Sequence, residues 1–207
     1  MKEDFIITIG RQLGSGGREI GEKLAGQLKI SIYDKELIFI ASRESGLGKE
    51  FFEKADERRK IPVLGGLFGL KGSLSVDPFS NYYLSNETLF NIQSDVIREL
   101  AKKGSSLFVG RCADYVLKDH PRCLNIFINS DIDDRIKRIA SLNSISEDEA
   151  AELIAKSDKE RAGYYNYFSN KTWGALESYH LCINSSVLGI DATVELIRYF
   201  AGKRFGV

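Results

Sequence analysis

The sequence predicts an α/β fold with a parallel central sheet. Short runs of β-branched and aromatic residues alternate along the chain with stretches in which apolar residues recur at helical spacing. The predicted strands are FIITI at 5–9, SIY at 31–33, SLFVG at 106–110, LNIFIN at 124–129 and HLCIN at 180–184. Strands that alternate with helices pair in parallel, so their carboxyl ends meet at one edge of the sheet, where such folds bind ligands.

Apolar spacing and capping residues predict the helices. Apolar residues recur on one helical face between 89 and 100, and Asp131 is placed to begin the next helix. Ser146 and Glu149 have the spacing of a capping box, which starts a further helix. Asp191 is placed to cap the last helix.

The composition is that of an ordinary globular protein with one domain. The chain has 207 residues, of which 43% are hydrophobic and 28% are charged. Its 29 basic and 29 acidic side chains cancel, so we expect no binding to nucleic acid or to an anionic membrane. Because no apolar span approaches the length of a membrane helix and MKEDFIITIG does not resemble a signal peptide, we expect a cytoplasmic protein.

Cysteine and histidine do not indicate a metal site. Cys112, Cys123 and Cys182 lie singly in apolar surroundings, so we expect them to be buried and reduced. The two histidines, His120 and His180, lack the acid spacing of a zinc or triad site. We therefore assign no metal ligand.

A glycine-rich stretch follows the first predicted strand. Residues 10–21 read GRQLGSGGREIG, with five glycines in twelve residues, and lead into a predicted helix. Glycine permits positive φ and a close approach of backbone amides to an anion, and the helix adds its positive end. The alternative is a tight turn with no chemical role. Arg11 and Arg18 flank the glycines, which favours a phosphate site.

The stretch departs from the common phosphate-loop pattern G-x-x-x-x-G-K-[ST]. Gly17 stands at the lysine position, and Arg18 stands where a serine or threonine would contact Mg²⁺. We expect Arg18 or Arg11 to supply the missing positive charge.

Two segments do not match the pattern of the sheet. Residues 60–84 contain glycine, proline and aromatics without a sustained period, which predicts a long loop or flexible insertion. Residues 155–175 pass from a charged helix into a run of aromatics, which we expect to pack in the core or at a hinge. Stacking of one of these rings on a nucleotide base is the alternative.

Six stretches, between about Ile7 and about Ile197, carry a family resemblance. They are ITIGRQLGSGGREIGEKLA, IYDKELI, VGRCADYVL, IFINSDIDDRIKRI, RAGYYNYF and LCINSSVLGID. Together they closely resemble the cytidylate kinase-like family, a branch of the P-loop nucleoside monophosphate kinases. The resemblance implies a P-loop NTPase fold, a three-layer αβα arrangement around a parallel sheet, as one domain over 1–207. It also implies a monophosphate-binding and flexible segment at 34–84 and a lid-like segment at 145–175.

Matching motif positions imply residue roles. Asp34 in YDKEL resembles the residue that opens the monophosphate site, Arg111 in GRC resembles an arginine that grips the acceptor phosphate, and Arg161 resembles part of a basic lid. Arg135 and Arg138 would face nucleotide or phosphate, the alternative being a solvated helix face that pairs with neighbouring acids. The expected catalytic residues are Arg18, Arg111 and Arg161. The expected nucleotide- and phosphate-binding residues are Arg11, Gly14, Ser15, Gly16, Gly17, Arg18, Glu19, Asp34, Arg135 and Arg138.

At two positions an acid of the family pattern is replaced. Cys112 follows Gly-Arg where the family has aspartate, and Asn184 in INSS stands where the family has an acid. Asp114, at most one helical turn from Cys112, is a possible substitute for the first acid.

The resemblance implies transfer of the terminal phosphoryl group of ATP, with Mg²⁺, to a small nucleotide, most readily CMP or dCMP. The departures in the glycine loop leave two alternatives. One is a nucleotide-binding regulatory protein with little or no transfer activity, and the other is a kinase for a different small acceptor. The sequence does not predict the oligomeric state.

Overall fold

The computed structural model describes residues 3–44, 46 and 86–206. Within them, five parallel strands form one sheet in the order β2-β3-β1-β4-β5, which confirms the predicted α/β fold. The strands are β1 Ile6–Arg11, β2 Ser31–Tyr33, β3 Ser106–Val109, β4 Cys123–Asn129 and β5 Leu181–Asn184. The expected insertion at 60–84 lies outside the described residues.

Helices cover both faces of the sheet. They are α1 Gly17–Leu28, α2 Lys35–Glu44, α3 Asn86–Ala101, α4 Ala113–Val116, α5 Ile132–Asn143, α6 Glu147–Ser169 and α7 Ser185–Phe205, with a 3₁₀ turn at Leu176–Ser178. Ile7 and Ile9 of β1 pack with α1 and α7 on one face. Ile6 of the same strand packs with α2, α3 and α4 on the other. The result is the predicted three-layer αβα arrangement.

Strand β1 lies at the centre of the sheet and is buried on both faces. Residues Ile6 to Ile9 pair with β3, and Ile6 to Arg11 pair with β4. A run that is apolar at nearly every position is typical of a parallel strand with both faces covered, and FIITI, whose one polar residue is Thr8, fits this central place. β1 extends two residues beyond the prediction, so Arg11 belongs to the strand. The segments after β1, β3 and β4 leave the sheet at one edge.

The helix ends confirm two predicted helix starts and correct a third. Asp131 is the N-cap residue of α5. Glu149 N donates to Ser146 Oγ at 3.2 Å, and Ser146 N donates to Glu149 Oε2 at 2.9 Å, which is the predicted capping box. The last helix begins at Ser185 and not at Asp191, because Asn184 accepts from Ser186 N and caps it. Gly189, at φ 74°, kinks this helix, so the regular apolar spacing starts only after the kink.

The aromatic run at the end of α6 forms a packed cluster, as expected. The rings of Phe90 and Phe168 stack with centroids 4.1 Å apart, and Trp173 meets Phe127 edge-on at 5.2 Å. Tyr165 is buried in the same cluster. Among the described helices, none is long and apolar enough to cross a membrane.

Candidate phosphate-binding site

The glycine loop, residues 12–16, joins β1 to α1 at the carboxyl edge of the sheet. Gly14 and Gly16 have φ values of 81° and 74°, in the region that L side chains rarely adopt. A Cβ at Gly14 would also lie 2.9 Å from the carbonyl oxygen of Arg135. Because the N-cap of α1 is Gly16, no side chain of the cap competes for the first-turn amides. These amides and the positive helix end suit an anion.

Three parts of the chain hold this loop in place. Within the loop, Ser15 Oγ donates to the carbonyl of Gln12 at 2.9 Å. From α7, Ser185 Oγ donates to the carbonyl of Ser15 at 2.7 Å. From the α5 and α6 side, Arg135 Nε donates to the carbonyl of Leu13 at 2.7 Å. The loop is therefore fixed before any ligand arrives.

Asp158 of α6 completes this anchoring. Its Oδ1 accepts from Leu13 N at 2.8 Å, and its Oδ2 forms a very short ion pair with Arg135 Nη2. The Arg135 side chain is 6% exposed. The Arg135 side chain lies under the loop, between the Leu13 carbonyl and the Asp158 carboxylate. It therefore does not lie on a solvated helix face, and it does not point into open space where a nucleotide could bind. Sequence reasoning missed Asp158; its position three residues before Arg161 on one helix face was the available signal.

Arg11, Arg111 and Arg161 form an arginine cluster beside the loop. The Arg11 guanidinium packs against Gly110 at the end of β3, and Arg161 Nη1 donates to the carbonyl of Arg11 at 3.2 Å. Arg111 lies over the ring of Tyr164, 5.5 Å from its centroid. The three arginines are far apart in the sequence. Arg11 lies at the end of β1, Arg111 follows the end of β3, and Arg161 lies on α6.

Within the cluster, Arg161 has a carboxylate partner, because its Nη1 lies 3.8 Å from Asp158 Oδ1. Arg11 differs from it in its surroundings. Burial, reinforced by the charges of Arg161 and Arg111, lowers the pKa of Arg11 to about 9, although Asp34 acts in the opposite direction. Among the described residues, no carboxylate oxygen lies within ion-pair distance of the Arg11 guanidinium. Burial also lowers the pKa of Arg161. Such an arrangement attracts an anion, which would relieve the repulsion between the guanidinium groups.

The backbone at the end of β3 is held in an unusual conformation. Gly110, Arg111 and Cys112 have φ values of 80°, 58° and 53° in succession. Two consecutive non-glycine residues in the left-handed region are strained, and such strain clusters at ligand sites. The strain falls where Arg111 leaves the sheet.

Arg18 does not belong to the arginine cluster, and acids surround its guanidinium. Its Nη2 pairs with Asp34 Oδ2 at 3.1 Å, its Nε with Glu22 at 3.0 Å, and Glu36 lies 3.9 Å away. The hydrogen bond to Glu22 is the main cause that raises the pKa of Arg18. Asp34 in turn caps α2, because its Oδ1 accepts from Glu36 N and Leu37 N. Arg18 and Asp34 therefore form a pair at the end of β2.

Arg138 and Glu19 lie on the β4 side of the loop. Arg138 Nη1 pairs with Glu19 Oε2 at 3.2 Å, and a Cβ at Gly16 would lie 3.4 Å from the same nitrogen. Glu19 also pairs with Lys23 at 3.3 Å. Arg138 is therefore a cation close to Gly16, where the loop enters α1.

Cys112 and Asp114 do not rebuild the missing acid beside Arg111. The Cys112 thiol is buried, and burial raises its pKa to about 12. Asp114 accepts a hydrogen bond from Tyr165 Oη at 2.7 Å, so its carboxylate faces α6, and burial raises its pKa.

The described residues contain no cluster of three or more histidine, cysteine or acidic side chains able to hold a metal ion. The hydroxyl position of the phosphate-loop pattern carries Arg18. A Mg²⁺ ion fits this site as the partner of a bound triphosphate, which, with water, supplies most of its oxygen ligands.

The chain is similar to several known proteins over most of its length. A curated cytidylate kinase of Ignicoccus hospitalis is 21% identical over 193 residues, covering 93% of this chain and 96% of the relative. A solved structure described as an uncharacterized protein from Eubacterium ventriosum is 27% identical, covers 97% of this chain and 99% of its own, and has a TM-score of 0.72.

The shikimate kinase of Bacteroides thetaiotaomicron shares the fold. It has a TM-score of 0.53 and 13% identity, with 98% of this chain and 99% of that chain covered. The fold is therefore that of the P-loop kinases. The family model described as the cytidylate kinase-like family matches residues 6–187, and the chain belongs to that family.

Proposed function

We propose that the protein transfers the terminal phosphoryl group of ATP to a nucleoside monophosphate, with CMP and dCMP as the first candidates. The observation that carries this proposal is the arginine cluster. Its partly buried Arg11 has no carboxylate partner among the described residues and lies beside a loop whose glycines have positive φ. Family membership and the curated cytidylate kinase relative support the nucleotide acceptor.

The arginines and the loop amides can supply the interactions that phosphoryl transfer requires. Phosphoryl transfer needs the reacting oxygens in line and the negative charge of the transferring group neutralised, with little covalent participation by the protein. Arginine suits this because its planar fork binds two phosphate oxygens at once. In the proposal, the amides of Gly14, Ser15, Gly16 and Gly17 hold the ATP phosphates. Arg111 and Arg161 contact the transferring and acceptor phosphates.

The remaining residues have supporting roles in the proposal. Arg135 positions the loop from below, and Arg138 with Glu19 bounds it on the β4 side. Arg18 with Asp34 lies at the end of β2, which we propose as the entrance of the acceptor. The chain would act as one domain over 1–207, with the acceptor segment at 34–84 and the lid-like segment at 145–175.

ATP and Mg²⁺ are the proposed co-substrate and ion. Mg²⁺ would arrive on the triphosphate and reduce the charge that the arginines must neutralise. The zero formal charge of the chain gives no general attraction to polyanions, so we propose free nucleotides in the cytoplasm as its partners.

A second function has one specific observation in its favour. Gly17 stands at the lysine position, and three carboxylates surround Arg18, the nearest cation along the chain. A protein that binds nucleotide without transferring phosphate, or that uses another small acceptor, would tolerate this change. Loss of one charge-stabilising group costs on the order of a thousandfold in rate.

The test is ADP formation from ATP and Mg²⁺ in the presence of CMP, dCMP, UMP, AMP or GMP. We expect ADP to form only with an acceptor present, with CMP or dCMP the best. Arg161→Ala should lower kcat/KM by roughly a hundredfold or more, whereas Lys102→Ala, whose exposed side chain pairs with Glu99, is the matched control. ATP binding without turnover of any acceptor would favour the second function.

A further inference from the structure

Gly17 is a glycine for a reason other than its backbone. It is the first residue of α1 and does not belong to the glycines with positive φ. Glycine in a helix is unfavourable compared with alanine. The reason for it lies in the space that a side chain would occupy: a Cβ at this position would lie 2.6 Å from the Cβ of Arg11 and 3.0 Å from its Cγ.

The side chain of Arg11 passes between two glycines. Its stem lies against Gly17 at the start of α1, and its guanidinium lies against Gly110 at the end of β3. A Cβ at Gly110 would overlap Arg11 Nη1 and lie 3.0 Å from Cζ. Both glycines leave open the path that leads Arg11 from the end of β1 into the arginine cluster.

Arg11 and Arg18, which flank the glycines in the sequence, differ in whether carboxylates neutralise their charge. Three carboxylates surround the Arg18 guanidinium, and it is 59% exposed. Among the described residues, Arg11 has no carboxylate at ion-pair distance, and the charges of three arginines, Arg161, Arg111 and Arg18, act on it. Arg11 therefore has the charge left for a phosphate.

We propose that Arg11, reaching from the end of β1, supplies the positive charge that other phosphate loops supply from the lysine position, and that Gly17 is required because Arg11 occupies that lysine's space. In this proposal the cation that binds phosphate comes from the last residue of β1, whereas in other phosphate loops it comes from the first turn of the helix. The part of this inference that concerns a phosphate rests on the proposed function, whereas the exclusion of a side chain at 17 by Arg11 does not.

A thermal unfolding experiment tests the steric part without any activity. Gly17→Ala in the wild-type chain should lower Tm by roughly 5 °C, because two Cβ atoms cannot approach to 2.6 Å without moving the backbone. In the Arg11→Gly background the same change should leave Tm equal or higher, since alanine favours the helix. An equal loss of Tm in both backgrounds would overturn the steric part.

A charge exchange tests the electrostatic part through ATP affinity and transfer rate. Arg11→Gly should weaken ATP binding and lower kcat/KM by roughly a hundredfold or more. Adding Gly17→Lys to Arg11→Gly should recover at least tenfold. The matched control is Arg11→Ala with Gly17→Lys, which retains the obstructing Cβ at 11 and should recover nothing. Arg98→Ala, an exposed arginine paired with Asp95, should behave as wild type.

The outcomes separate this inference from the proposed function. If the wild type binds ATP but transfers phosphate to no acceptor, the proposed function fails. The charge exchange between positions 11 and 17 can still be tested, because it also predicts the ATP affinity of the variants. If Arg11→Gly binds ATP as tightly as the wild type, or if the exchange variant folds and recovers neither affinity nor rate, the inference is wrong.

Discussion

Replacement of Asp158 by alanine is the sharpest perturbation of the scaffold around the loop. The carboxylate accepts the amide hydrogen of Leu13 at 2.8 Å and pairs with the buried guanidinium of Arg135, and it also lies 3.8 Å from Arg161 Nη1. Asp158→Ala removes these contacts and leaves the Arg135 guanidinium, whose side chain is 6% exposed, without its counter-charge.

The expected cost follows from that burial. Removing one partner of a buried ion pair destabilises a protein by about 3–5 kcal/mol, because the remaining charge is desolvated and unpaired. For a domain of this size each kcal/mol corresponds to about 2–4 °C, so Tm should fall by roughly 6–20 °C. The loop would lose its hold on Leu13 at the same time, and ATP affinity should fall with it.

Urea unfolding followed by circular dichroism measures the change. Glu152→Ala, an exposed acid on the same helix, is the matched control and should stay within about 0.5 kcal/mol of the wild type. Arg135→Met with Asp158→Ala should recover part of the loss, because the most deeply buried unpaired charge is removed, whereas Arg161, 3.8 Å from Asp158 in the wild type, still loses a partner. A loss below about 1 kcal/mol for Asp158→Ala, or a double variant no better than the single one, would refute the anchoring role.

Two further predictions concern backbone and thiol chemistry. Gly14→Ala should cost roughly 1–3 kcal/mol in urea unfolding because of its φ of 81° and the backbone of α5 beside it, whereas Gly26→Ala, with open space around it, should be neutral or stabilising. A loss for both changes would contradict this. Burial raises the pKa of Cys112 and Cys123 to about 12, so a thiol reagent at pH 8 should label Cys182 alone until the protein unfolds. Since these pKa values exceed the unfolded value of about 8.5, the free energy of unfolding should fall as pH rises from about 9 towards 12; a flat profile would contradict the burial of both thiols.

The strands could be predicted because their signal is local, whereas their order in the sheet, β2-β3-β1-β4-β5, could not. The composition of a run such as FIITI is enough to predict a buried strand. The spacing of Ser146 and Glu149 is enough to predict the start of a helix. The beginning of α7 could not be predicted in the same way. Gly189 interrupts the helix, so apolar periodicity indicates only the part that follows it.

The residue types of the candidate site could be predicted from the sequence, but the ion pairs between its arginines and acids could not. The glycines and arginines of the loop region are visible in the sequence, yet which arginine retains free charge depends on distant partners. Arg18 on α1 forms an ion pair with Asp34, which follows β2. Arg135 on α5 forms an ion pair with Asp158 on α6. Such contacts follow from tertiary packing and leave no periodic signal. The obstruction of position 17 by Arg11 is of the same kind.

The most direct test of the account compares the binding of ATP and adenosine to the wild-type protein by isothermal titration calorimetry. If the glycine loop and the arginine cluster form a phosphate site, ATP should bind at least a hundredfold more tightly than adenosine. Its affinity should fall as salt rises, and inorganic tripolyphosphate should compete with it. Equal affinities for ATP and adenosine, or no competition by tripolyphosphate, would contradict the central claim that this edge of the sheet binds phosphate.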